Sequence, residues 1–316
     1  MQGKIKTLFI GTGEFAVPVL KSLVGLELVD LVGVVTQPDK PAGRKQELTP
    51  GPLKKALQEI PDLGNVQLFQ PEKLREAADD IMSQTSPELI VVAAYGQMIP
   101  NSMLNTPKHK CLNLHGSLLP QLRGAVPVQM AILQGLSETG VTIQQMVKEL
   151  DAGPILTTVD CEISPSETAE SLMKKLADLG AALLVETLPR WVAGEIQPQE
   201  QDHSQATFCY QADIAKEKAE IRFETPLEQV ERMVRAFYPW PVAWAKLDAQ
   251  EGKALKIFKA RIEQELKFKS NELEIRRDGK RLFLTLQNGV LELLEVQLEG
   301  KQRLGALDYL WLVNAK

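Results

Sequence analysis

Residues 88–94, ELIVVAA, form an unbroken apolar run about as long as one strand. Such a run fits a parallel strand buried on both faces, since a strand with one exposed face alternates apolar and polar residues. Strand-like and helical segments alternate around it, at residues 4–10, 14–24, 28–36, 53–59, 72–84, 141–146, 154–159 and 166–188. This order predicts an α/β fold with a Rossmann-like, doubly wound and mostly parallel sheet that carries helices on both faces.

The C-terminal part of the chain has a different pattern. Asp278-Gly279 and Asn288-Gly289 separate apolar segments and predict two-residue hairpins. We therefore expect a small OB-like β-barrel, a fold that commonly binds oligonucleotides. Residues 193–207, AGEIQPQEQDHSQAT, are polar and lack periodicity, which predicts a linker. The expected organisation is a catalytic domain over residues 1–192, this linker, and a barrel domain over 208–316.

Composition excludes several classes of protein. No run of 18 apolar residues occurs and residue 4 already begins a strand-like segment, so we expect a cytoplasmic protein without a membrane segment. The cysteines Cys111, Cys161 and Cys209 are far apart, which indicates buried thiols rather than a zinc site or a disulfide framework. No histidine has a second histidine at ligand spacing, so no metal centre is expected. The net charge is −5, but residues 208–316 are mildly basic, a weak indication of a polyanionic partner.

Residues 111–120, CLNLHGSLLP, place Asn113 and His115 two positions apart at the end of an apolar run. Residues two apart in a strand point to the same side, so the amide and the imidazole converge where the strand opens into a loop. Asp151 follows in LDAGPI. An amide can hold a developing oxyanion, an imidazole can move a proton, and a carboxylate can fix the imidazole's tautomer and charge. These three residues form a candidate site for acyl chemistry.

Two other interpretations apply to these motifs. A single histidine on a half-apolar segment often has only a structural hydrogen-bonding role, although Gly116 after it permits the close backbone approach that a ligand needs. Residues 11–16, GTGEFA, fit the dinucleotide pattern G-x-G-x-x-A between a strand and a helix. A dinucleotide site also needs an acid at the end of the second strand, and residues 35–38 read VTQP instead. The glycines therefore favour a tight turn.

Seven segments resemble the methionyl-tRNA formyltransferase family, and they are spread so that the resemblance extends over nearly the whole chain. They are GTGEFAVPVL, TQPDKPAGR, VVAAYGQMIP, CLNLHGSLLPQLRGAVPVQMAILQG, ETGVTI, LDAGPIL and RAFYPWPVAW. The pattern HGSLLPxxRGxxP with a later DxG is similar to the wider class of 10-formyltetrahydrofolate-dependent transferases and hydrolases, and it implies the donor and the chemistry. The PDKPAGR loop and the predicted barrel favour the initiator-tRNA enzymes within that class.

The resemblance implies a role for each matching residue. Asn113, His115 and Asp151 correspond to the catalytic amide, imidazole and carboxylate. The implied folate contacts are Tyr95, Gly96, Gln97, Met98, Ser117, Leu118, Leu119, Pro120 and Leu150. The implied tRNA contacts are the loop cations Lys40, Arg44 and Lys45. The resemblance further implies 10-formyltetrahydrofolate as co-substrate, initiator methionyl-tRNA as acceptor and no metal, and we expect a monomer.

The chain departs from the family pattern in places. Gly13-Glu14 stands where the family commonly has Pro-Asp, and KQEL after Arg44 is less basic than usual, which places more of the tRNA affinity on the C-terminal domain. Two other functions stay open: the same donor with a sugar-nucleotide amine or water as acceptor, and a nucleic-acid-binding module without activity. The basic loop and the predicted barrel disfavour a different acceptor. The presence of all three candidate residues, Asn113, His115 and Asp151, disfavours an inactive binding module.

Overall fold

The computed structural model describes residues 3–42, 47–61, 63, 66–247, 253–266, 268 and 270–313. The chain divides into two compact units. The first comprises Met1–Pro127, Glu138–Glu162 and Met173–Cys209, and the second comprises Val128–Ser137, Ile163–Leu172 and Tyr210–Lys316. Both units are therefore built from segments that are not contiguous in the chain.

The strands of the first unit run from the N-terminus to residue 209. They are β1 (Ile5–Gly11), β2 (Val29–Val35), β3 (Lys40–Ala42), β4 (Glu47–Thr49), β5 (Gln67–Phe69), β6 (Leu89–Ala93), β7 (Cys111–His115), β8 (Arg123–Gly124), β9 (Glu138–Gln145), β10 (Ile155–Glu162) and β11 (Phe208–Cys209). Seven of them form one sheet in the order β10-β9-β7-β6-β1-β2-β5. Strands β5, β2, β1, β6 and β7 are parallel, and β9 and β10 are antiparallel at one edge. The predicted Rossmann-like, mostly parallel sheet is confirmed.

Helices cover this sheet, and the apolar run identified in the sequence lies at its centre. The helices up to residue 192 are α1 (Ala16–Val24), α2 (Pro52–Glu59), α3 (Leu74–Thr85), α4 (Asn101–Asn105), α5 (Pro127–Gln134) and α6 (Ala169–Val192), of which α5 from Val128 and α6 up to Leu172 belong to the second unit. Every residue of β6 is buried, because β1 and β7 flank it and helices pack above and below. Cys111 of β7 packs in an apolar cluster with residues of α3 and α4. Leu114, on the opposite face of β7, lies against Gly180 of α6.

The second unit contains a mostly antiparallel sheet that curls into a half-barrel, in which only the short β12, of the described strands, pairs in parallel with its neighbour. Its strands are β12 (Glu220–Ile221), β13 (Ala243–Lys246), β14 (Ala254–Glu263), β15 (Glu274–Asp278), β16 (Arg281–Leu286), β17 (Gly289–Leu298) and β18 (Leu304–Gly305), and its further helices are α7 (Leu227–Ala236) and α8 (Ala306–Val313). The order is β12-β13-β14-β17-β16-β15, with β18 paired to β17. Hairpins form at both predicted places, but the two-residue turns are Gly279-Lys280 and Gln287-Asn288, because Asp278 and Gly289 are paired strand residues. In the described residues no pairing joins β12 to β15, so the sheet stays open.

Two general features complete the fold. Short 3₁₀ turns lie at His203–Gln205, Gln211–Ile214 and Lys216–Ala219. Within the described part of the chain, no helix is both long and apolar enough to cross a membrane.

Candidate active site

Strand β7 presents Asn113 and His115 on one face at the carboxyl end of the parallel sheet. Every residue of this strand is buried, and the two polar side chains are 8% and 6% exposed, respectively. They project to the same side as Cys111, since side chains alternate along a strand. Because ligands of open α/β sheets bind beyond the carboxyl ends of the strands, both groups lie where a substrate is expected.

Asp151 reaches these residues from the loop between β9 and β10. Its Oδ2 accepts a hydrogen bond from the Gly124 amide at 2.8 Å, and its Oδ1 accepts one from Gln144 Nε2 at 3.0 Å. Asn113 Nδ2 lies 3.5 Å from Oδ1. The carboxylate is therefore held by neutral donors from three separate segments.

The orientation of His115 is set by a backbone carbonyl. Its Nε2 lies 2.8 Å from the Leu122 oxygen. A carbonyl only accepts, so Nε2 carries the hydrogen, and Nδ1 is the ring nitrogen left for a substrate. Nδ1 is 3.7 Å from Asp151 Oδ2, longer than a direct hydrogen bond. The carboxylate was expected to fix the tautomer of the imidazole, whereas the contact that does this comes from the Leu122 carbonyl.

The structure thus brings together three side chains that are far apart in the sequence. Asp151 lies between the other two side chains. Its Oδ1 is 3.5 Å from Asn113 Nδ2, and its Oδ2 is 3.7 Å from His115 Nδ1. Left-handed backbone occurs nearby at Leu122 (φ +56°) and Asp151 (φ +46°), and at Ala94 (φ +50°) after β6. Backbone of this kind clusters at functional sites, where surrounding contacts hold it in place. The arrangement can donate to an oxyanion and accept a proton.

The turn at residues 117–120, expected to contact folate, is held by internal hydrogen bonds. The Ser117 hydroxyl donates to the Gln121 carbonyl at 2.6 Å. Thr142 Oγ1 donates to the Ser117 carbonyl at 2.7 Å and accepts from the Leu119 amide at 3.1 Å. Leu119 is buried, and the half-buried residues of the turn are Leu118 and Pro120. The Ser117 hydroxyl therefore fixes the shape of the turn rather than standing open to a ligand.

The segment after β6 combines a buried ring with an exposed side chain. Tyr95 is buried, and burial raises the pKa of its hydroxyl to about 12. Gln97 is tethered, because its Oε1 accepts from the Leu74 amide at 2.8 Å. Met98 is 85% exposed and Leu150 is 52% exposed, while Gly96 is exposed as well. The free energy falls when a flat ligand covers a large exposed apolar side chain, because apolar surface is removed from water. Met98 and Leu150 are thus suited to ligand contact.

The loop predicted to contact tRNA is described only in part. Lys40 is exposed at the start of β3, whereas Arg44 and Lys45 lie outside the described residues. The loop is anchored at its base, since Lys54 Nζ donates to Asp39 at 2.7 Å. This hydrogen bond lowers the pKa of Asp39, which stays charged at neutral pH. The base of the loop therefore has a defined position against α2.

Sequence reasoning missed two buried polar residues next to Asp151. Gln201 and Arg123 are 5% and 4% exposed, respectively, and Arg123 donates to Gln201 Oε1. Arg123 had a signal, the RG that follows HGSLLP, but no role was assigned to it. Gln201 had none, since it lies in the segment 193–207 that was interpreted as a linker. That interpretation is corrected: the segment belongs to the first unit, and its polar composition reflects buried hydrogen bonding as well as solvent exposure.

Metal-binding groups and reactive thiols were also sought in the part of the chain that the structure describes. It contains no group of three or more His, Cys, Asp or Glu side chains that could hold a metal ion. All three cysteines are buried, and burial raises the pKa of the Cys111 thiol. A buried thiol with a raised pKa is a poor nucleophile.

Comparison with known families gives two matches, one to the N-terminal part of the chain and one to the C-terminal part. The family described as "Formyl transferase" matches residues 4–188, and "Formyl transferase, C-terminal domain" matches residues 213–311. The chain is 42% identical to the methionyl-tRNA formyltransferase of Bacillus licheniformis over 308 residues, which cover 96% of this chain and 94% of that protein. It is 39% identical to the methionyl-tRNA formyltransferase of Pediococcus pentosaceus, over 96% of this chain and 92% of that protein.

Solved structures share the fold at much lower identity. An N-formyltransferase from Helicobacter canadensis, in complex with folinic acid and dTDP-3-aminofucose, matches with a TM-score of 0.66 and 17% identity over 95% of this chain and all of that one. HypX from Aquifex aeolicus, in complex with tetrahydrofolic acid, matches with a TM-score of 0.65 and 18% identity over 98% of this chain and 48% of that one. At these identities the likeness is one of fold alone.

Proposed function

The chain belongs to the formyl transferase family, among the methionyl-tRNA formyltransferases, and we propose that it transfers the formyl group of 10-formyltetrahydrofolate to the α-amino group of initiator methionyl-tRNA. The observation that carries this proposal is the meeting of Asn113, His115 and Asp151 at the carboxyl end of β7. This reaction needs an oxyanion donor, a proton carrier and a carboxylate, and these residues supply one of each.

Attack begins with the neutral amine of methionyl-tRNA. An α-amino group titrates near about pH 8, so a share of it is neutral at physiological pH. Its nitrogen attacks the formyl carbon, which becomes tetrahedral while its oxygen gains negative charge. Asn113 Nδ2, which also faces Asp151 at 3.5 Å, donates to that oxygen. One such donor contributes about 10²–10³ in rate.

The proton then moves from the amine to the leaving nitrogen. Asp151 accepts the amine proton through water and passes it to His115 Nδ1, the ring nitrogen that it faces. Nδ1 then delivers this proton to N10 as the bond from N10 to the formyl carbon breaks. The products are formylmethionyl-tRNA and tetrahydrofolate, so atoms and charge balance. No covalent enzyme intermediate is needed, and the Ser117 hydroxyl is already committed to the Gln121 carbonyl.

The two substrates are assigned to different segments of the chain. Tyr95–Met98, Ser117–Pro120 and Leu150 are assigned to the folate, and the exposure of Met98 and Leu150 supports this assignment. The folate ligands of the two fold relatives also support a folate donor. The tRNA is assigned to the loop that carries Lys40, Arg44 and Lys45, with exposed cations of the half-barrel as a second contact. Those cations include Lys259, Arg277 and Lys280. We place this reaction in the cytoplasm, where initiator tRNA is used, with a monomer as the working form.

One assay tests the function. The purified chain is incubated with 10-formyltetrahydrofolate labelled in the formyl group and with methionine-charged initiator tRNA, and the released amino acid is analysed for N-formylmethionine. We expect labelled formylmethionine from the wild type and far less from Asn113→Ala. A dTDP-aminosugar replaces the tRNA in a parallel reaction. Label in the sugar but not in methionine, or in free formate alone, would overturn the proposal.

A further inference from the structure

A buried side-chain amide, that of Gln201, joins the two loops around Asp151. Its Nε2 donates to the carbonyl oxygens of Asp151 and Gly153, at 2.9 and 2.7 Å. Its Oε1 accepts from Nε and Nη2 of Arg123, at 3.1 and 2.6 Å. A primary amide offers two hydrogens and two lone pairs, so this one is fully used. None of these bonds reaches the side chains assigned to the chemistry.

The contacts of Gln201 close a ring of interactions through Asp151. Arg123, which is bound to Gln201, directly precedes Gly124, and the Gly124 amide donates to Asp151 Oδ2 at 2.8 Å. The ring runs from the Asp151 carboxylate through Gly124 and Arg123 to Gln201 and back to the Asp151 carbonyl. The carboxylate and the backbone of Asp151 are therefore positioned by the same set of residues.

The backbone at Asp151 needs such support. Asp151 has φ +46°, a left-handed conformation that aspartate tolerates but does not favour. The loop around it turns tightly, since a Cβ added to Gly153 would lie 1.8 Å from the Gln145 carbonyl oxygen. A backbone in a disfavoured region persists when its surroundings determine it. The two bonds from Gln201 Nε2 to this loop meet that requirement.

Arg123 supplies both an anchor and a charge. It is 4% exposed, and beyond Gln201 its Nη2 meets His203 Nδ1 at 3.0 Å. Burial lowers the pKa of Arg123, while the nearby charge of Asp151 raises it. The guanidinium donates to Gln201 and His203, and Asp151 is the nearby negative charge that compensates it. A buried cation and a half-buried anion that compensate each other fix one another's position, because separating them leaves each uncompensated.

The same segment also supports the loop that orients His115. Thr207 Oγ1 accepts from the Leu122 amide at 2.9 Å, and the Thr207 carbonyl accepts from the Arg123 amide at 2.9 Å. Residues 208–209 then pair with residues 123–124. We call residues 201–209 the strap. It holds the backbone of Leu122, whose carbonyl receives the His115 hydrogen, and the backbone of Asp151.

We propose that Gln201 is a positioning residue for formyl transfer, acting through Asp151 with Arg123 as its anchor. This inference rests on the proposed function and adds to it a group that touches no reacting atom. A displacement of about 1 Å in a catalytic group can cost about 100-fold in rate. Loss of Gln201 is therefore expected to lower kcat, while the KM values for folate and tRNA stay unchanged.

The first experiment compares four single variants. Gln201→Leu removes both sets of hydrogen bonds at similar size, and Gln201→Glu keeps the contact to Arg123 but turns an oxygen toward the two carbonyls. Gln199→Leu and Gln199→Glu are the matched controls, because the Gln199 side chain is exposed two positions earlier in the same segment. Thermal unfolding checks that each variant folds. We expect kcat to fall about 10- to 100-fold in both Gln201 variants and to change less than about twofold in the controls.

The second experiment asks whether the effect passes through Asp151. Gln201→Glu is combined with Asp151→Asn, and single-turnover formylation is followed with labelled donor. A residue acting through Asp151 loses most of its effect once the carboxylate is gone, so the double variant is expected to match Asp151→Asn alone. An equal loss in both backgrounds, or full kcat in folded Gln201 variants, would overturn the inference. Absence of formylmethionine from the wild type would instead overturn the proposed function.

Discussion

A backbone carbonyl, not a carboxylate, determines which nitrogen of His115 carries hydrogen. The Leu122 oxygen accepts from Nε2, and Asp151 faces the opposite ring nitrogen at a distance of 3.7 Å. Orientation of the imidazole and the negative charge of the carboxylate are therefore supplied by different groups. The two contributions can be separated by mutation.

Asp151→Asn should remove the charge and leave the imidazole in place. The asparagine carbonyl oxygen can still accept from the Gly124 amide, so the loop is expected to keep its shape. We expect kcat to fall by about 10²–10⁴, the usual contribution of general acid–base catalysis, with little change in KM. Steady-state formylation kinetics and thermal unfolding measure this. Asp160→Asn, on an exposed position of β10, is the control, and a kcat near that of the wild type would remove Asp151 from the mechanism.

Two glycines distinguish a steric requirement from a conformational one. A Cβ at Gly153 would lie 1.8 Å from the Gln145 carbonyl, whereas Gly13 has φ +76° with nothing within 4 Å of an added Cβ. Gly13→Ala is expected to cost about 1 kcal/mol of backbone strain. Gly153→Ala should cost about 2–3 kcal/mol, because the backbone must move. Denaturant unfolding gives both values, and equal losses would contradict the tight turn next to Asp151.

Several elements could be predicted from local sequence. The apolar run at residues 88–94 contains the fully buried β6, and hairpins form at the Asp-Gly and Asn-Gly pairs with each turn shifted by one residue, since each pattern is satisfied by its immediate neighbours. The long helix was expected from Ser166, yet α6 begins at Ala169. Thr168 caps it, because its Oγ1 accepts from the Ser171 amide at 3.2 Å while Ser171 Oγ accepts from the Thr168 amide at 3.0 Å. The element was predictable and its first residue was not.

The three candidate catalytic residues could be predicted from the sequence, whereas the residue that supports them, Gln201, could not. Asn113, His115 and Asp151 were found because two of them share a strand and all three lie in family motifs. Gln201 was not found, because its partners Asp151 and Arg123 are 50 and 78 positions earlier and no periodicity links them. Polar composition indicates that a side chain makes hydrogen bonds, but not whether its partner is water or protein.

The half-barrel carries an ionic cluster on β14, β16 and β17. Glu292 is 5% exposed and accepts from Arg281 Nη2 and Arg261 Nε, both at 2.7 Å. The Arg281 hydrogen bond is the main cause that lowers the pKa of Glu292 from 4.5 to about 2. A carboxyl group with a depressed pKa in the folded state contributes stability above its ordinary pKa and loses that contribution as pH falls toward the folded value.

Glu292→Gln should therefore destabilise the protein most at neutral pH. The difference in unfolding temperature from the wild type is expected to be full above about pH 5 and to shrink as pH falls from 4.5 toward 2. Thermal unfolding at a series of pH values measures it, with Glu265→Gln, at an exposed site in the same unit, as control. A difference that stays constant across this range would show that the cluster adds no pH-dependent stability.

The two units do not correspond to the two halves of the chain. Residues 128–137 and 163–172 belong to the second unit. Arg235 of α7 donates to the Glu167 carbonyl at 3.1 Å, and a Cβ on Gly135 would lie 2.2 Å from Arg232 Cζ. Both segments therefore take their partners from residues beyond 209.

Truncation after Cys209 should consequently leave an incomplete protein. Residues 128–137 and 163–172 lose the surfaces that they pack against, so fragment 1–209 is expected to unfold at a lower temperature than the full chain and to bind a hydrophobic dye. Calorimetry and dye fluorescence measure this, with the intact chain as control. A fragment that binds no dye and unfolds where the intact chain does would mean that the first unit is self-sufficient.

The strap also has a consequence for the order in which the protein is made. A ribosome synthesises Asn113, His115 and Asp151 well before Gln201 and Thr207, which hold the loops around them. A nascent chain that stops short of residue 201 thus carries the reactive groups without their alignment. We infer that the newborn polypeptide gains its competence late, after the support has emerged from the exit tunnel and closed over the earlier loops.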